Sequence, residues 1–288
     1  MDQRIIDLYD EFIHVHFDRR LFLERAARLV GGVGAATALL PLLQSNYALA
    51  TVVPLDDSRL RTARLEFPGV TGDVKAYLAE PRGAGKFGGI VVVHQNRGLN
   101  PHIEDIARRL AVLGYAALAV DFLSPLGGTP ADEDEAMKLY AQGYPLQAPA
   151  NAKAAVAWLR QRPEVNGKVG AIGFCWGGGI INQLAADDPT LDAGVVYYGV
   201  PPQDLSVVPQ IKAPLLLNYA DPKLDTRVGA LFPAYEEALK AAHVNYRLYV
   251  YEGANHAFSD DTQAARYDKA AADLAWQRTQ EFFARYLK

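Results

Sequence analysis

Short apolar runs alternate with amphipathic stretches through most of the chain. The segments 61–67 and 74–79 alternate apolar and polar positions around a glycine-containing turn, which predicts an antiparallel pair of strands. The segment 88–94 is an unbroken, largely β-branched run and predicts a strand buried on both faces. Helical spacing of apolar residues over 103–113 then ends at Gly114, where a helix commonly stops.

The same strand and helix unit repeats in the remainder of the sequence. This alternation predicts an α/β fold with a mostly parallel, twisted sheet flanked by helices, and no linker divides 51–288, so we expect a single domain there. The stretch 122–149, rich in Gly, Pro and Asp, is expected to be irregular and to wall a pocket beyond the strand ends. Further strands are predicted over 116–120, 168–174, 193–198, 214–219 and 246–251, and further helices over 151–160, 177–186, 231–241 and 264–287.

Residues 1–50 differ in character from the rest. Residues 1–17 have the pattern of an amphipathic helix, Arg19 and Arg20 precede an apolar run, and Ala48 and Ala50 give a small-x-small end. Two interpretations stay open: an N-terminal helical extension packed on the domain, or a twin-arginine export signal. The signal would make the protein periplasmic, and otherwise we expect it to be cytoplasmic. The run is short and broken by glycines and a proline, so no integral membrane span is predicted.

Composition narrows the classes of partner. The 288 residues are 50% hydrophobic and 22% charged, with a net charge of −4 and no long run of one sign, which argues against nucleic acid as a partner. A single cysteine excludes an internal disulfide and a Cys-rich zinc site. The spacing of His14 and His16 fits neither one helical face nor a zinc motif, and no cofactor is predicted. A homodimer is left open.

The most specific motif is G-x-C-x-G-G, centred on Cys175 directly after a predicted strand. This is the pattern of a nucleophile elbow, a tight turn from strand to helix. Gly173 and Gly177 are needed there because side chains at those positions would strike neighbouring backbone. The following helix N-terminus favours a thiolate. The alternative is that Cys175 only fills the core, as free cysteines often do.

An elbow nucleophile requires an acid and a histidine downstream in the chain. Asp221 and Asp225 follow the predicted strand 214–219, and His256 follows the predicted strand 246–251. Because the carboxyl ends of parallel strands meet at one edge of a sheet, we expect these groups near the elbow. The set predicts nucleophilic catalysis through a covalent intermediate on Cys175.

The stretches GFCWGG, HQNRGLNPHIEDIARRL, YEGANHAF and DLAWQRTQEFF resemble the dienelactone hydrolase family of the α/β-hydrolase superfamily, from about residue 59 onward. The resemblance implies the α/β-hydrolase fold and carboxymethylenebutenolidase-type hydrolysis of a small ester or lactone. It implies Cys175 as nucleophile, His256 as base and Asp225, in D-x-x-V, as acid. It also implies an oxyanion hole formed by the backbone N–H groups of Trp176 and Asn96.

The chain departs from the family's pattern at two places. Gln95, a candidate pocket residue, stands where the family commonly has a glutamate that holds the resting thiol, and an amide cannot take up a proton. Thiolate formation is then expected to depend on His256 and the helix dipole. Ala257 and Asp260 stand where dienelactone hydrolases proper carry a serine and an arginine that bind the substrate carboxylate, which puts dienelactone itself in doubt.

Arg97 and Phe258 complete the predicted pocket. Arg97 could present a cation at its mouth, although an ion pair with Glu104 or Asp105 is the favoured interpretation. Phe258 and Trp176 could wall the pocket or pack in the core. Two alternative functions remain: a general carboxylesterase acting on activated aryl or enol esters, and a non-catalytic binding protein of the same fold. Class I glutamine amidotransferases share the cysteine elbow, but their base stands in a His-x-Glu motif, whereas His256 is followed by Ala257 and Phe258.

Overall fold

The computed structural model describes residues 1–15, 18–47, 51–141 and 147–288. Within these residues, eight strands form one sheet and ten α-helices surround it. The strands are β1 (Leu60–Gly69), β2 (Gly72–Pro81), β3 (Phe87–Val93), β4 (Tyr115–Val120), β5 (Val165–Phe174), β6 (Ala193–Tyr197), β7 (Leu215–Ala220) and β8 (Tyr246–Tyr251). The helices are α1 (Gln3–Val15), α2 (Arg19–Val30), α3 (Val33–Leu43), α4 (Pro101–Val112), α5 (Glu133–Ala141), α6 (Ala148–Arg160), α7 (Trp176–Asp187), α8 (Thr226–Gly229), α9 (Phe232–Ala241) and α10 (Lys269–Leu287).

The strand order is β1-β2-β4-β3-β5-β6-β7-β8. The pair β1 and β2 is antiparallel, as predicted, and β2 also runs antiparallel to β4. Strands β3 to β8 are parallel to one another. The predicted α/β fold with a mostly parallel sheet is therefore confirmed. The loops that follow β3, β5, β7 and β8 all leave the same edge of the sheet.

Two apolar layers enclose the sheet. One layer packs β-strand side chains against α6, α7 and α9, and the other packs them against α4 and α10. Every residue of β4 is buried, which explains why this strand is apolar throughout rather than at every second position. The same reason applies to β3 after its first residue. The layers fix the strand ends from which the functional loops emerge.

Helices α1, α2 and α3 form a separate apolar cluster next to α5. It includes Ile5, Tyr9, Phe22 and Leu40, with Met137 contributed by α5. Among the described residues, no single helix is long and apolar enough to cross a membrane, although α2 and α3 would pass that test together and are bent by 111° between them. The predicted small-x-small end at residues 48–50, and residue 16, lie outside the described residues.

Several element boundaries differ from the predicted ones by one to five residues, and the largest differences concern the last helix and the stretch 122–149. The last helix begins at Lys269 rather than at 264, because the preceding residues form turns held by the Asp260 side chain and Asp268 caps the helix. The stretch 122–149, predicted to be irregular, contains α5. Its first turn carries three acidic residues, which favour a helix N-terminus.

We expect Asp268→Ala to lower the free energy of unfolding by about 1 kcal/mol, because the Asp268 carboxylate accepts the Ala271 N–H at 3.0 Å and caps α10. Asp268→Asn retains an acceptor and should lose less than half of that. Urea denaturation followed by circular dichroism measures both. An unchanged midpoint for the alanine variant would contradict the capping role.

Candidate active site

Cys175 lies in the turn between β5 and α7. Its φ of 54° and ψ of −118° place a non-glycine residue in a strained region, and its N–H donates to the Tyr197 carbonyl at 3.0 Å. A Cβ on Gly177 would lie 2.5 Å from the carbonyl oxygen of His94, and one on Gly173 would overlap the Gly177 carbonyl. The close backbone packing therefore explains the glycines of the motif.

Two further side chains from the sheet edge meet the elbow. His256, in the loop after β8, has its Nδ1 2.7 Å from Oδ2 of Asp225, and both side chains are buried. The other ring nitrogen, Nε2, is buried and has no hydrogen-bond partner among the described residues. A ring nitrogen of His256 lies within 4.8 Å of Cys175 Sγ. The structure thus brings together Cys175, His256 and Asp225.

The two candidate aspartates have different surroundings. Asp225 caps α8 by accepting the Val228 N–H at 3.2 Å with one oxygen, which directs its other oxygen to His256. Asp221 accepts the backbone N–H groups of Lys223 and Gly253, both at 2.9 Å. Asp221 therefore holds two loops together, and Asp225 is the aspartate that contacts the histidine.

Helix α1 adds a second histidine to this site. His14 Nε2 lies 3.4 Å from Cys175 Sγ, and the His14 ring meets the His256 ring edge-on with centroids 5.0 Å apart. His14 Nδ1 contacts the backbone oxygen of Asp10 at 2.8 Å and its carboxylate at 3.3 Å. The nucleophile position is therefore flanked by two histidines, each backed by an aspartate.

Charge governs ionisation in this cluster. Burial opposes ionisation of the Cys175 thiol, but the His256 and His14 imidazoliums lower its pKa well below the usual value. Burial would lower the pKa of His256, but the Asp225 carboxylate and the Cys175 thiolate raise it to about 10. The pKa of His14 is raised in the same way, against burial, by the thiolate and Asp10. These shifts favour a Cys175 thiolate that is stabilised by a protonated neighbouring histidine.

The predicted oxyanion loop lies directly beneath α1. The Asn96 side-chain amide donates to the backbone oxygen of Ile13 at 2.8 Å. The backbone N–H of Asn96 takes part in no hydrogen bond between described residues. Trp176 is the first residue of α7, where N–H groups have no partner within the helix. The backbone N–H groups of both predicted donors therefore have no backbone partner among the described residues.

Gln95 and Asp260 form one buried polar unit. Gln95 Nε2 donates to Oδ2 of Asp260 at 3.0 Å, and the same carboxylate accepts from Thr262 and Gln263. Burial would raise the pKa of Asp260, but the nearby His102 charge and these hydrogen bonds hold it at about 2. The Gln95 side chain is therefore held in place by the hydrogen bond from its Nε2 to Asp260.

The expected ion pair of Arg97 with Glu104 or Asp105 is wrong. Arg97 Nε lies 3.1 Å from Glu133 on α5, and its Nη2 donates to the Tyr9 hydroxyl at 2.7 Å. Glu104 instead pairs with Arg64 at 2.5 Å, and Asp105 pairs with arginines of its own helix. Glu104 and Asp105 do not pair with Arg97, because α4 directs their side chains to these other arginines.

Burial raises the pKa of Glu133 to about 7, and the Arg97 guanidinium at 3.1 Å is the opposite charge beside it. Arg97 itself is 2% exposed and joins α1 to α5. It binds protein groups in this structure, at the position where a pocket cation was expected.

Of the two roles left open for Phe258, the structure supports packing in the core. Its ring is fully buried and packs on Tyr251, Tyr198 and Tyr197, behind His256. In the turn after His256, the side chain of Phe258 is directed into the aromatic core. Trp176 is partly buried and stacks on His94 at 5.4 Å. Its ring also meets Tyr140 of α5, so part of the stretch 122–149 does border the site.

Two groups of side chains among the described residues have the composition of a metal site. In the first group, the ligand atoms of His14, Cys175 and His256 lie within 4.8 Å of one another. In the second group, the ligand atoms of His102, Asp260 and Asp261 lie within the same distance of one another. The first group is the nucleophile cluster itself, which the spacing of His14 and residue 16 did not predict. The second is joined by ion pairs to Arg109.

The sequence interpretation missed Asp10, His14, Arg227 and Arg266 as members of this site. A signal existed: Asp10 and His14 lie four residues apart, which places an acid and a histidine on one face of an amphipathic helix. The spacing does not reveal that this face covers the sheet edge. Arg227 Nη2 lies 3.1 Å from His14 Nε2, and Arg266 Nη1 lies 3.0 Å from Asp10.

Comparison with known proteins fits this geometry. Residues 74–287 match the model of the dienelactone hydrolase family. The chain belongs to the dienelactone hydrolase family. It is accordingly a hydrolase that acts on ester or lactone bonds.

Relatives of this family cover most of the chain. A protein of Methylorubrum extorquens, provisionally named carboxymethylenebutenolidase, is 31% identical over 270 residues, 87% of this chain and 92% of its own length. A structure described as a dienelactone hydrolase of Klebsiella pneumoniae is 28% identical with a TM-score of 0.69, covering 79% of this chain and 99% of its own. A dienelactone hydrolase-like promiscuous phosphotriesterase from metagenomic libraries is 26% identical with a TM-score of 0.70, covering 80% and 100%.

Cys175 is the single cysteine, so thiol-directed measurements report on it alone. Because its pKa is lowered, we expect alkylation by iodoacetamide to change less than about threefold between pH 6 and pH 8, whereas an ordinary thiol loses about tenfold per pH unit on the acid side of its pKa. The urea-unfolded protein is the control and should show the ordinary slope. A folded protein with that same slope would contradict the ion-paired thiolate.

Proposed function

We propose that the chain hydrolyses activated esters or lactones through a Cys175, His256 and Asp225 triad and a thioester acyl-enzyme. One observation carries this proposal. His256 is oriented by Asp225 at 2.7 Å, and its remaining ring nitrogen is buried beside the strained cysteine without a hydrogen-bond partner among the described residues. A base oriented in this way and facing a nucleophile is the arrangement that nucleophilic hydrolysis requires.

In the proposed reaction, the Cys175 thiolate attacks the carbonyl carbon. The developing oxyanion accepts hydrogen bonds from the backbone N–H groups of Trp176 and Asn96. The C–O bond to the leaving alcohol breaks, the alcohol oxygen takes the former thiol proton from a protonated histidine of the cluster, and an acyl thioester remains on Cys175. His256 then takes a proton from water, the hydroxide adds to the thioester, and the C–S bond breaks to release the carboxylic acid.

The leaving groups limit the substrate class. Thiolate departs from a tetrahedral intermediate more readily than alkoxide, so attack on an unactivated ester tends to reverse. Enol lactones and aryl esters have better leaving groups and are the proposed substrates. The name carboxymethylenebutenolidase given to a relative supports the lactone class. A general carboxylesterase would instead favour simple aryl esters, and a panel of enol lactones and nitrophenyl esters separates the two.

We also propose that the N-terminal helices stay with the folded enzyme as an extension. Arg266 is 3% exposed, its guanidinium lies over the Tyr9 ring of α1, and it pairs with Asp10 at 3.0 Å, so α1 both covers this charge and supplies its counterion. Asn46 adds a second attachment, since its N–H donates to the Thr262 carbonyl at 2.8 Å.

Intact-mass spectrometry of enzyme purified from its native cells tests that second proposal. We expect the active fraction to have a mass that includes residues 1–47. An active fraction that begins after residue 50 would contradict the extension and support an export signal.

For the triad, we expect Cys175→Ala to lower kcat/KM for a nitrophenyl ester by at least about 1,000-fold, since the nucleophile is removed. Asp225→Asn should lower it by about 100-fold or more, because the amide no longer orients and stabilises the protonated His256. Asp221→Asn is the matched control, and it should stay within about twofold because Asp221 contacts only loop backbone.

Mass spectrometry of a rapidly quenched reaction should show the acyl group on Cys175. Unchanged turnover by the fully alkylated protein would exclude the mechanism and favour a non-catalytic binding role for this cluster.

A further inference from the structure

We propose that His14, backed by Asp10, is a second acid–base residue of this active site. It takes the proton of the Cys175 thiol and passes it to the departing alcohol, which leaves His256 to activate water. This inference rests on the proposed nucleophilic role of Cys175.

The geometry around the sulfur carries the proposal. His14 Nε2 is 3.4 Å from Sγ, within hydrogen-bond range for sulfur, and its Nδ1 is held by Asp10. This arrangement repeats the relation of His256 to Asp225. The two rings are at 89° to each other and approach the same sulfur from different elements, so each can exchange a proton with it. His14 therefore contacts a reacting atom directly.

The position of His14 is fixed by contacts along the whole of α1. The Asn96 amide holds the Ile13 carbonyl, and Arg97 holds the Tyr9 hydroxyl at 2.7 Å. At the other end, Gln3 Nε2 donates to the Asn255 side chain at 2.7 Å. Asn96 and Asn255 belong to the loops that carry the proposed oxyanion donor and His256. Helix α1 is thus attached to the catalytic loops themselves.

Charged groups face the His14 ring from several elements. Arg227 Nη2 lies 3.1 Å from Nε2, so this guanidinium can donate to the ring only while Nε2 is unprotonated. Asp10 faces Nδ1 and is itself paired with Arg266. The ring therefore lies between an anion and a cation, and arrival of the thiol proton displaces the Arg227 bond. The titratable and charged groups around it are Asp10, Cys175, His256, Arg227 and, in the next layer, Asp225, Tyr140 and Arg266.

The proton transfers assigned to His14 and His256 balance over the catalytic cycle. The proton leaves Sγ for His14 Nε2, the thiolate attacks, and protonated His14 gives that proton to the oxygen of the leaving alcohol as its C–O bond breaks. Water then loses a proton to His256 and adds to the thioester, and the C–S bond breaks to restore the thiolate. Protonated His256 returns its proton through Sγ to His14. The net change is the addition of one water across the ester.

Gln95 cannot perform this role in place of His14. Its amide has no site that binds a proton near neutral pH, and its nitrogen donates to Asp260. Among the described residues that contact Sγ, the histidines are the groups able to accept the thiol proton. His14 is the one of the two with a hydrogen bond to the sulfur.

The test uses the full chain and the variant His14→Gln, with Asp10→Asn as a second variant should the first fail to fold. Ultraviolet thiolate absorbance of the single cysteine is followed against pH, and the burst and steady-state phases separate acylation from deacylation. We expect the thiolate midpoint to rise by at least about one pH unit. Acylation should fall about 100-fold, a typical loss for general acid–base catalysis, with deacylation changed less than about threefold.

The leaving group supplies a readout that a structural role would not move. Without an acid to protonate the alcohol, phenyl esters should suffer a larger loss than nitrophenyl esters, so the rate should depend more steeply on leaving-group pKa. Arg4→Ala is the matched control, because it changes an exposed residue of α1 whose ion pair is with Asp2, away from the sulfur and the catalytic loops. It should leave both the thiolate midpoint and the leaving-group dependence unchanged. All assays contain a chelator, so that metal bound by the cluster does not contribute.

The outcomes are distinguishable. An unchanged thiolate midpoint and an unchanged leaving-group dependence in His14→Gln, with Cys175→Ala inactive, would overturn the role of His14 and leave the triad standing. A faster His14→Gln enzyme would also overturn it, since α1 would then be a block on the site. Full activity of Cys175→Ala would remove the proposed function instead.

Discussion

In the proposed mechanism, the chemistry depends on one buried sulfur that is ionised beside two imidazoles. An isolated anion at a 5% exposed position would be strongly disfavoured by the loss of hydration. The two histidines supply the compensating charge, and Asp10 and Asp225 in turn favour their protonated forms. Charges of alternating sign therefore run from α1 through the elbow to α8. Removing any one of them leaves a neighbour buried without compensation.

The parallel sheet explains how residues far apart in sequence form this cluster. Strands β3, β5, β7 and β8 run in the same direction, so the loops that carry Asn96, Cys175, Asp225 and His256 all emerge at one edge. The position of each of these side chains is fixed by the preceding strand, which is buried between the two apolar layers. Helix α1 has no such strand, and its position depends on hydrogen bonds and the Asp10–Arg266 ion pair.

This difference separates what the sequence predicts from what it does not. A strand followed by a chemically suitable residue predicts both the existence and the place of Cys175 and His256, because the carboxyl ends of parallel strands always meet. An amphipathic pattern predicts that α1 has a buried face, but it contains no information on the surface that receives that face. The partner of Arg97 was mispredicted for the same reason: proximity in sequence favoured Glu104, whereas folding brings Glu133 and Tyr9 to it.

The spacing of the two aspartates was likewise insufficient without the resemblance. Both aspartates follow β7, and their local contacts distinguish them. Asp225 caps α8, which directs its other oxygen to His256. Asp221 accepts two backbone N–H groups and so holds two loops together. The sequence also could not decide whether Phe258 walls a pocket or packs in the core, because the direction of its side chain depends on the turn that follows His256.

Helices α1 and α5 both border the predicted nucleophile. Helix α1 is held by the Asp10–Arg266 ion pair and by hydrogen bonds such as that from the Asn96 amide to the Ile13 carbonyl. The N-terminal end of α5 is also held, because Glu133 contacts Arg97 and Tyr47. Near its C-terminal end, α5 borders the site through the edge-on contact of the Tyr140 ring with Trp176. A substrate that reaches Cys175 therefore has to fit beside these two helices or displace contacts of one of them.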